Sequence, residues 1–435
     1  MRTINQLFEE SVRRFPNNIF LYQHNGKEFA GTSYTEVYHR VINLAAGFMS
    51  IGLDSGDRVT LLAEGRNDWV VSELAIIYAG AINVPLSIKL NEPEEIRFRL
   101  QHSGSRFVVT TSRQIHKILE ILESLESLDL IISMDPVKVE SKKIMFIEDL
   151  IKNGEAFLAD HREKFDQRLA SISENDFVNI CYTSGTTADP KGIILSHRNY
   201  TANVEQSNSL HFIGEWYKTL LILPWDHSFA HTCGIYTLMK FGASLAAVQS
   251  GSTPMETLKN IPKNIKEIRP NFLLSVPALA KNFKKNIEGA IQEKGGIIEK
   301  LFYHALKIAY QYNGIGWDRG KGFKKLLWPL YKLYDLIIFM KVREGFGGKL
   351  EFFVGGGALL DIELQRFFYA IGIPMFQGYG LTEAAPVISS NSFKHIKMGS
   401  SGVLASHLEL KICDENGKTL PAGEKGEIVV KGENI

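Results

Sequence analysis

The sequence predicts an α/β protein with two helix-covered mixed β-sheet subdomains and a small β-barrel-like subdomain near the C-terminus. Up to about residue 395, short β-rich runs alternate with helical segments, which is typical of parallel or mixed sheets covered by helices. After about residue 399 the pattern is purely β-like. We therefore predict subdomains at 1–175, 176–398 and 399–435.

Capping residues mark the first two helices. Thr3 with Gln6 resembles a capping box at the start of an N-terminal helix, and apolar residues follow at helical spacing. A second helix is predicted to begin near Ser33/Glu36 and to end at Gly52. The β-rich runs that we predict to be strands lie at 58–63, 107–111, 130–133, 177–182, 220–223, 272–276 and 350–354.

Two regions depart from the alternation. Residues 278–345 are predicted to be mostly helical, with aromatic and basic side chains interleaved. Near the C-terminus, a strand at 407–414 and a return strand at 426–431 flank Asn416-Gly417, which is a typical hairpin turn. Because the chain stops at Ile435 directly after this hairpin, we expect the β unit to be incomplete.

Charge and cysteine content exclude several classes of protein. The 435 residues include 49 Lys and Arg against 48 Asp and Glu, so the net charge of +1 gives no reason to predict a nucleic-acid partner. Cys181, Cys233 and Cys413 show no Cys-x-x-Cys spacing, and neither a disulfide framework nor a zinc site is predicted. A reducing compartment fits this composition.

The apolar segments do not predict a membrane span. The N-terminus does not resemble a signal peptide, and the longest apolar stretch, 74–90, is interrupted by Gly80, Asn83 and Pro85. We therefore predict a cytoplasmic protein. The aromatic and basic residues around 328–339 leave two interpretations open, a peripheral contact with a membrane surface or a helix packed on the domain core.

The most informative segment is the loop 182–192, which lies between two apolar runs. Glycine lets backbone N–H groups approach an anion, hydroxyls donate further hydrogen bonds, and lysine adds a positive charge. Because Lys191 precedes Gly192 and a strand-like run, the loop lacks the Walker A order of Gly-Lys-Ser/Thr followed by a helix. The composition predicts a polyphosphate-binding loop, and the alternative is a Ser/Thr-rich turn between two strands.

Two glycine-rich segments are candidates for the rest of a nucleotide site. Gly355-Gly356-Gly357-Ala358 follows a predicted strand, where small residues leave room for a flat ligand such as a purine. In Gln377-Gly378-Tyr379-Gly380-Leu381-Thr382-Glu383, two glycines flank an aromatic ring that could stack on a base, and Glu383 offers an oxygen ligand suited to Mg²⁺. In isolation, the first segment is equally consistent with a plain strand-to-helix turn.

A third candidate segment runs from Leu223 to Phe229 and contains His227. A histidine among bulky residues after a strand could line a substrate pocket. A histidine that is simply packed and hydrogen-bonded is the alternative.

Taken in order, these segments resemble the core motifs of the AMP-forming adenylate-forming superfamily. That superfamily includes acyl-CoA synthetases, peptide-synthetase adenylation domains and firefly luciferase. The resemblance covers essentially the whole chain. Within the superfamily, the helical insert, 275–277, 346–350 and 378–388 most resemble the long-chain fatty acyl-CoA synthetases.

The resemblance implies a two-step reaction with ATP, Mg²⁺ and coenzyme A. A carboxylate, here of a long-chain fatty acid, attacks the α-phosphate of ATP and expels pyrophosphate, and the thiol of coenzyme A then attacks the acyl-adenylate. Thr382 would hydrogen-bond the α-phosphate, and Glu383, with a hydroxyl from Thr183 or Thr186, would ligate Mg²⁺. His227 would lie where the acyl tunnel meets the ATP site. The implied nucleotide-binding residues are Thr183, Ser184, Gly185, Thr186, Thr187, Lys191, Gly356, Gly357, Ala358, Gly378, Tyr379 and Gly380.

The sequence departs from the family pattern in two places. Ala188 stands where the phosphate loop usually has glycine, so we expect altered loop motion or affinity if that position needs a positive φ. The ribose-binding aspartate and the C-terminal lid domain with its catalytic lysine are expected beyond Ile435. On this interpretation the chain is the N-terminal portion of the enzyme and is impaired on its own.

Other functions remain open at this point. One keeps adenylation but changes the acid, or uses the thiol of a carrier protein as the acceptor. Another is a nucleotide- or acyl-binding protein without full turnover. A P-loop kinase or NTPase is disfavoured, because the loop lacks the Walker A order.

Overall fold

A computed structural model describes residues 2–139, 141–183 and 189–435 and divides the chain into two compact units. Unit 1 comprises Met1–Val204, Gly214–Trp216 and Pro224–Ser250, and unit 2 comprises Glu205–Ile213, Tyr217–Leu223 and Gly251–Ile435. Each unit is an α/β structure, so the predicted fold class is confirmed. The subdomain boundaries near residues 175 and 398 stay predictions.

The strands are, in chain order, β1 Ile19–His24, β2 Phe29–Ser33, β3 Arg58–Leu62, β4 Ile82–Pro85, β5 Ser105–Thr110, β6 Leu130–Ser133, β7 Ile144–Phe146, β8 Phe177–Thr183, β9 Lys191–Ser196, β10 Lys218–Leu221, β11 Ser244–Ala247, β12 Phe272–Ser275, β13 Phe352–Gly355, β14 Met375–Gly380, β15 Val387–Ser390, β16 Val403–Leu404, β17 Glu409–Cys413 and β18 Glu427–Lys431.

The α-helices are α1 Ile4–Arg14, α2 Tyr34–Ser50, α3 Asn67–Tyr78, α4 Pro93–Ser103, α5 Ile115–Leu119, α6 Ile147–Ser171, α7 His197–Leu210, α8 Thr237–Phe241, α9 Pro254–Ile268, α10 Pro277–Lys294, α11 Gly296–Asn313, α12 Trp328–Tyr334, α13 Met340–Glu344 and α14 Ile362–Ala370. Short 3₁₀ segments lie at Leu122–Ser124, Gly322–Leu327 and Thr382–Ala384, and π-helical segments at Ala230–Tyr236 and Asp335–Phe339.

The largest sheet of unit 1 has the strand order β7-β6-β5-β3-β4-β8-β9 in the described residues. The strands from β7 to β8 run parallel, and β9 pairs antiparallel with β8. Apolar side chains of these strands, such as Val84 and Val108, form a buried core with Ile96 and Leu100 of α4. In addition, β1 pairs parallel with β11 and antiparallel with β2.

Side-chain capping at the starts of the first two helices is confirmed, although the Gln6 side chain, predicted to complete a box with Thr3, accepts from the backbone N–H of Arg2 at 3.1 Å. The hydroxyl of Thr3 accepts a hydrogen bond from the backbone N–H of Gln6 at 3.2 Å. Ser33 and Glu36 form a reciprocal capping box at the start of α2. That helix ends two residues before Gly52, whose φ of +87° lies in the left-handed region that glycine favours.

In unit 2, β10, β12, β13 and β14 run parallel, and β15 and β16 add antiparallel strands beside β14. The predicted helical region before residue 345 is confirmed by α10 to α13. The predicted C-terminal hairpin is also confirmed, because β17 pairs antiparallel with β18 over five residue pairs from Glu409↔Lys431 to Cys413↔Glu427.

The sequence predicts the presence of a strand more reliably than the residues at which it begins and ends. The strand predicted at 350–354 is in fact Phe352–Gly355, so Gly355 belongs to the strand. The short strand Ile82–Pro85 went unpredicted, because it lies inside a continuous apolar stretch. No helix in the described ranges is both long and apolar enough to cross a membrane. The cysteines, all three within those ranges, form no disulfide.

Candidate functional site

The predicted phosphate loop connects two antiparallel strands of unit 1. Thr183 ends β8 and Lys191 begins β9, and these two residues are Cα partners across the hairpin. Thr183 is half-buried and Lys191 is exposed. A strand follows Lys191 in place of a helix, as the residue order predicted. The loop residues Ser184, Gly185, Thr186, Thr187 and Ala188 lie outside the described residues.

The strand that leads into this loop is anchored by buried polar groups. The Cys181 thiol donates a hydrogen bond to Asn179 Oδ1 at 3.0 Å, and burial raises the pKa of Cys181 to about 12. Cys181 therefore stays a neutral thiol and is unsuited to act as a nucleophile. Its sulfur also lies 3.9 Å from the backbone carbonyl oxygen of Asp226, which places the segment containing His227 beside β8.

His227 is exposed, so the alternative of a simply packed histidine is wrong. The residue that holds this segment in the core is Trp225, which is 7% exposed and packs edge-on against Trp69 of α3 with ring centroids 5.6 Å apart. The structure thus presents His227 at the surface of unit 1 on a segment anchored by its tryptophan neighbour.

Unit 1 also contains a buried acid–base pair that the sequence did not reveal. Glu73 on α3 and His231 on the π-helical segment are both 0% exposed, and Glu73 Oε1 lies 2.6 Å from His231 Nδ1. The Tyr236 hydroxyl donates to the same carboxylate oxygen at 2.9 Å. Asn179 Nδ2 lies 3.3 Å from His231 Nδ1. The pair therefore connects α3 and the segment after His227 to the strand β8.

This network leaves buried polar atoms unsatisfied. Glu73 Oε2 and His231 Nε2 have no hydrogen-bond partner among the described residues. The available signal was a lone glutamate next to the apolar run of α3, since a glutamate is almost never fully buried unless it is paired. The network positions its neighbours and is not itself exposed to a ligand.

In unit 2, the two predicted glycine-rich segments are adjacent. Strands β13 and β14 are parallel neighbours with Gly355 opposite Gln377, so both segments lie at the carboxyl ends of their strands. Ligands bind at this edge in open α/β sheets. A Cβ added at Gly356 or Gly357 would meet no atom within 4 Å, so space is open beside both residues.

The side chain of Gln377 ties these segments together. Its Oε1 accepts a hydrogen bond from the backbone N–H of Leu360 at 2.7 Å, and its Nε2 lies 3.4 Å from the carbonyl oxygen of Ala358. Gln377 is only 4% exposed. It was part of the predicted motif but was not itself predicted to be a site residue, because this role depends on the strand pairing.

The remaining predicted residues follow β14. The ring of Tyr379 is half-buried and packs against a small cluster that includes Ala384 and Ile388. Gly380 is sterically required, since an added Cβ would lie 2.1 Å from the carbonyl oxygen of Pro386. Thr382 is half-buried and Glu383 is exposed on a short 3₁₀ turn, which leaves its carboxylate accessible to a ligand.

One further titratable group lies close to these strands. His211 Nε2 lies 3.1 Å from the Ser390 hydroxyl, and the imidazole stacks on Phe352 with ring centroids 5.1 Å apart. Burial lowers the pKa of His211 to about 4, so the imidazole is neutral at pH 7. No pattern in the sequence indicates this contact, because it joins residues far apart in the chain.

A parallel-sheet edge with two adjacent glycine-rich segments defines a class of α/β ligand-binding proteins. A family model described as AMP-binding enzyme matches residues 8–435, and the chain belongs to this family. The resemblance to adenylate-forming enzymes predicted from the motifs is therefore confirmed.

Two curated relatives illustrate what this chain is similar to. A chloroplastic long-chain-fatty-acid–[acyl-carrier-protein] ligase of Arabidopsis thaliana is 26% identical over 93% of this chain and 59% of its own length. A long-chain-fatty-acid–CoA ligase of Mycobacterium bovis is 26% identical over 91% of this chain and 62% of its own length. The chain thus spans about three fifths of the length of these curated relatives.

Solved structures share the fold. An anthranilate CoA ligase in complex with anthranoyl-AMP aligns with a TM-score of 0.71 and 20% identity, covering 99% of this chain and 70% of that one. A long-chain-fatty-acid-CoA ligase from Archaeoglobus fulgidus aligns with a TM-score of 0.70 and 18% identity, covering 100% of this chain and 75% of that one. At these identities the likeness demonstrates the fold alone.

Proposed function

We propose that the protein to which this chain belongs activates a long-chain fatty acid with ATP to an acyl-adenylate and transfers the acyl group to coenzyme A, releasing AMP and pyrophosphate, and that this chain by itself is impaired. The observation that carries the proposal is the pairing of β13 with β14, which sets the segment 355–358 beside the segment 377–383 in a member of the AMP-binding family. The similarity to ligases named for long-chain fatty acids, with CoA or an acyl carrier protein as acceptor, supports the substrate class.

Catalysis in this proposal is positional and electrostatic. Thr183, Lys191 and the loop between them would hold the β- and γ-phosphates, and Thr382 would donate to the α-phosphate. The open space beside Gly356 and Gly357 suits an adenine ring. Tyr379, near the end of the neighbouring strand β14, would stack on that ring. Fixed donors and cations of this kind stabilise charge that develops in phosphoryl chemistry.

Carboxylate and hydroxyl oxygens are donors whose chemistry suits a magnesium ion bound together with ATP. Glu383 offers one exposed carboxylate, and the hydroxyl of Thr183 is the second proposed ligand. Among the described residues there is no group of three or more His, Cys, Asp or Glu that could hold a metal ion alone. Mg²⁺ commonly takes one or two protein ligands and completes its shell with phosphate and water, which matches this set. When bound, the ion would neutralise phosphate charge.

Affinity for a stable acyl-adenylate mimic tests the proposal directly. An acyl-sulfamoyl adenosine with a sixteen-carbon chain should bind at least about 100-fold more tightly than ATP, as analogues of reactive species do in enzymes that stabilise them. ATP–pyrophosphate exchange should then require a fatty acid. Binding of ATP with no preference for the mimic, and no exchange with any acid, would favour a nucleotide-binding protein without turnover.

Glu383→Gln tests the metal assignment. The amide keeps the shape of the side chain but removes its charge, so we expect Mg²⁺-dependent ATP binding to weaken by about tenfold or more while the fold is retained. Glu363→Gln is the matched control, because Glu363 is an exposed glutamate of α14 in the same unit. Equal Mg²⁺ dependence in the two variants would show that the assignment is wrong.

The acid and the thiol acceptor are tested separately. A second candidate, supported by the relative that uses an acyl carrier protein, keeps adenylation but changes the acceptor. Thioester formation with coenzyme A and with a purified acyl carrier protein, each at equal thiol concentration, distinguishes the two. A panel from acetate to long-chain and aryl acids identifies the preferred carboxylate.

We also propose that the protein is cytoplasmic and contacts a membrane surface peripherally. A lipophilic substrate would be available at that surface. The support for this contact is an apolar surface of unit 2.

A further inference from the structure

The helices between residues 322 and 344 bury little of their apolar surface. Along α12, the π-helical segment and α13, the buried apolar residues are Tyr331 at 4% exposure and Phe339 at 0%. The other side of the same stretch carries Leu333 at 50% and Ile337 at 53% exposure. A surface helix ordinarily buries its apolar stripe and presents polar residues to solvent. Here a second apolar stripe faces outward.

The exposed side chains form a regular row that begins before α12. Phe323 is 92% exposed and Leu326 is 78% exposed. Successive members are three or four residues apart, the spacing that aligns side chains along one helical face. We call this row the apolar face, and it consists of Phe323, Leu326, Leu330, Leu333, Ile337 and Met340. Contiguous exposed apolar surface of this kind marks an interaction site.

The charge around the apolar face indicates the chemistry of its partner. Residues 321–341 contain five lysines and one aspartate, a net charge of +4, in a chain whose total is only +1. Lys321, Lys325, Lys332 and Lys341 are all exposed. Trp328, half exposed, belongs to the residue type that favours the boundary between water and hydrocarbon. Basic residues beside bulky apolar ones are typical of helices that lie in a membrane interface.

This charge argues against a second copy of the chain as the partner. A symmetric contact through the apolar face would bring two segments of net charge +4 together, and like charges at close range are unfavourable. An anionic lipid surface supplies both the apolar layer and the opposite charge.

We propose that the apolar face and its lysines bind the surface of an anionic phospholipid bilayer. Phe323 and Leu326 enter the boundary between headgroups and acyl chains, and the lysines contact lipid phosphates. The inference does not depend on the proposed ligase activity, because it follows from exposure and charge alone. It gives the proposed membrane contact a defined surface and a lipid class.

Co-sedimentation with lipid vesicles, without ATP or fatty acid, tests the inference. The chain should bind vesicles of phosphatidylcholine with phosphatidylglycerol and bind pure phosphatidylcholine far more weakly. Phe323→Ser with Leu326→Ser should weaken binding at least about tenfold, because two large apolar side chains no longer enter the interface. The matched control is Met255→Ser with Leu258→Ser, two residues of α9 that are 64% and 60% exposed and should bind like the wild type.

A charge series isolates the lipid class. Changing Lys321, Lys325, Lys332 and Lys341 to glutamine should weaken binding to anionic vesicles by more than about 100-fold, because each lysine near such a surface contributes about fivefold. The control makes the same change at Lys259, Lys266, Lys281 and Lys285, exposed lysines of α9 and α10. Equal losses in both sets would contradict a localised site.

Sedimentation velocity without lipid distinguishes the other partners. Self-association that Phe323→Ser with Leu326→Ser abolishes, together with no vesicle binding, would overturn the inference in favour of a contact between copies. No vesicle binding by the wild type would overturn it outright. Binding of the acyl-adenylate mimic is measured on the same samples, so failure of the ligase proposal and failure of this inference are separately visible.

Discussion

Each unit contains side chains in an environment that is unusual for their type: polar side chains are buried in unit 1, and apolar side chains are exposed in unit 2. Unit 1 encloses an acid and a base, Glu73 and His231, with neither side chain exposed, whereas unit 2 exposes bulky apolar side chains such as Phe323 and Leu326. A buried polar side chain must find its partners within the protein, so removing a partner costs folding free energy. An exposed apolar side chain contributes little to folding. Substitutions in the buried pair of unit 1 should therefore change the stability of the fold, whereas substitutions among the exposed apolar side chains of unit 2 should change binding to a partner.

Breaking the buried pair should give the largest effect. Glu73→Leu or His231→Leu leaves one polar group buried without its partner, and we expect the free energy of unfolding to fall by about 3–5 kcal/mol. Urea unfolding followed by tryptophan fluorescence is a suitable measurement, since Trp69 packs 5.4 Å from the His231 ring. The double variant should lose clearly less than the sum of the two single losses. Additive losses would show that the two side chains act independently.

Acid should destabilise unit 1 through a second buried histidine. His197 accepts the backbone N–H of Ile4 through Nδ1 at 3.1 Å, and burial lowers the pKa of His197 to about 3. The unfolded chain takes up this proton near pH 6.5 and the folded chain does not. The stabilisation is therefore complete above pH 6.5 and declines as the pH falls towards 3, by about 1.4 kcal/mol per pH unit.

His197→Asn tests this assignment, because its amide oxygen can still accept from Ile4 while the proton uptake is lost. Between pH 6.5 and 4.5 the wild type should lose about 2–3 kcal/mol that the variant does not lose. His227→Asn, at an exposed histidine of the same unit, is the control and should keep the wild-type dependence. An unchanged pH profile for His197→Asn would contradict the assignment.

Removing the buried side chain of Gln377 in unit 2 should cost less. Gln377→Ala leaves the buried N–H of Leu360 without its acceptor, for which we expect a loss of about 1–3 kcal/mol. Affinity for the acyl-adenylate mimic should fall as well, because the segment 355–358 loses its tie to β14. Gln292→Ala, at an exposed position of α10, provides the comparison and should change neither quantity measurably.

Sequence patterns identified the elements whose causes are local. The caps at Thr3 and Ser33 and the hairpin turn at Asn416-Gly417 depend on residues within a few positions, and the structure has all three. Strand β14 was missed, because its glycines resemble a loop and its strand character comes from pairing with β13. Neighbours in space thus override local preference here.

The candidate site shows the same difference between features with local causes and features that depend on distant residues. Motif order indicated the family, and each predicted segment that the structure describes lies at a strand end or a connecting turn. What the sequence could not show were contacts between distant residues, such as Glu73 with His231 or His211 with Ser390. Contacts between residues far apart in the chain produce no regular spacing in the sequence from which they could be predicted. A lone glutamate beside an apolar run was the one usable signal.

The smallest change in the free energy of unfolding is expected for a substitution in the apolar face. A buried neighbour on the same helical stretch provides the direct comparison. Ile337→Ala removes a side chain that is 53% exposed, so the free energy of unfolding should change by less than about 0.5 kcal/mol. Phe339→Ala, two residues further along the same helical stretch, removes a fully buried ring and should cost about 3–5 kcal/mol.

Lipid binding should reverse that ranking. Ile337→Ala should weaken vesicle binding although it leaves stability unchanged, because its side chain gains burial only at the membrane. Phe339→Ala should retain vesicle binding wherever the variant is folded, since its ring faces the interior. If Ile337→Ala instead destabilised the protein by more than about 1 kcal/mol, the apolar face would be part of the folded core and the contrast between the units would fail.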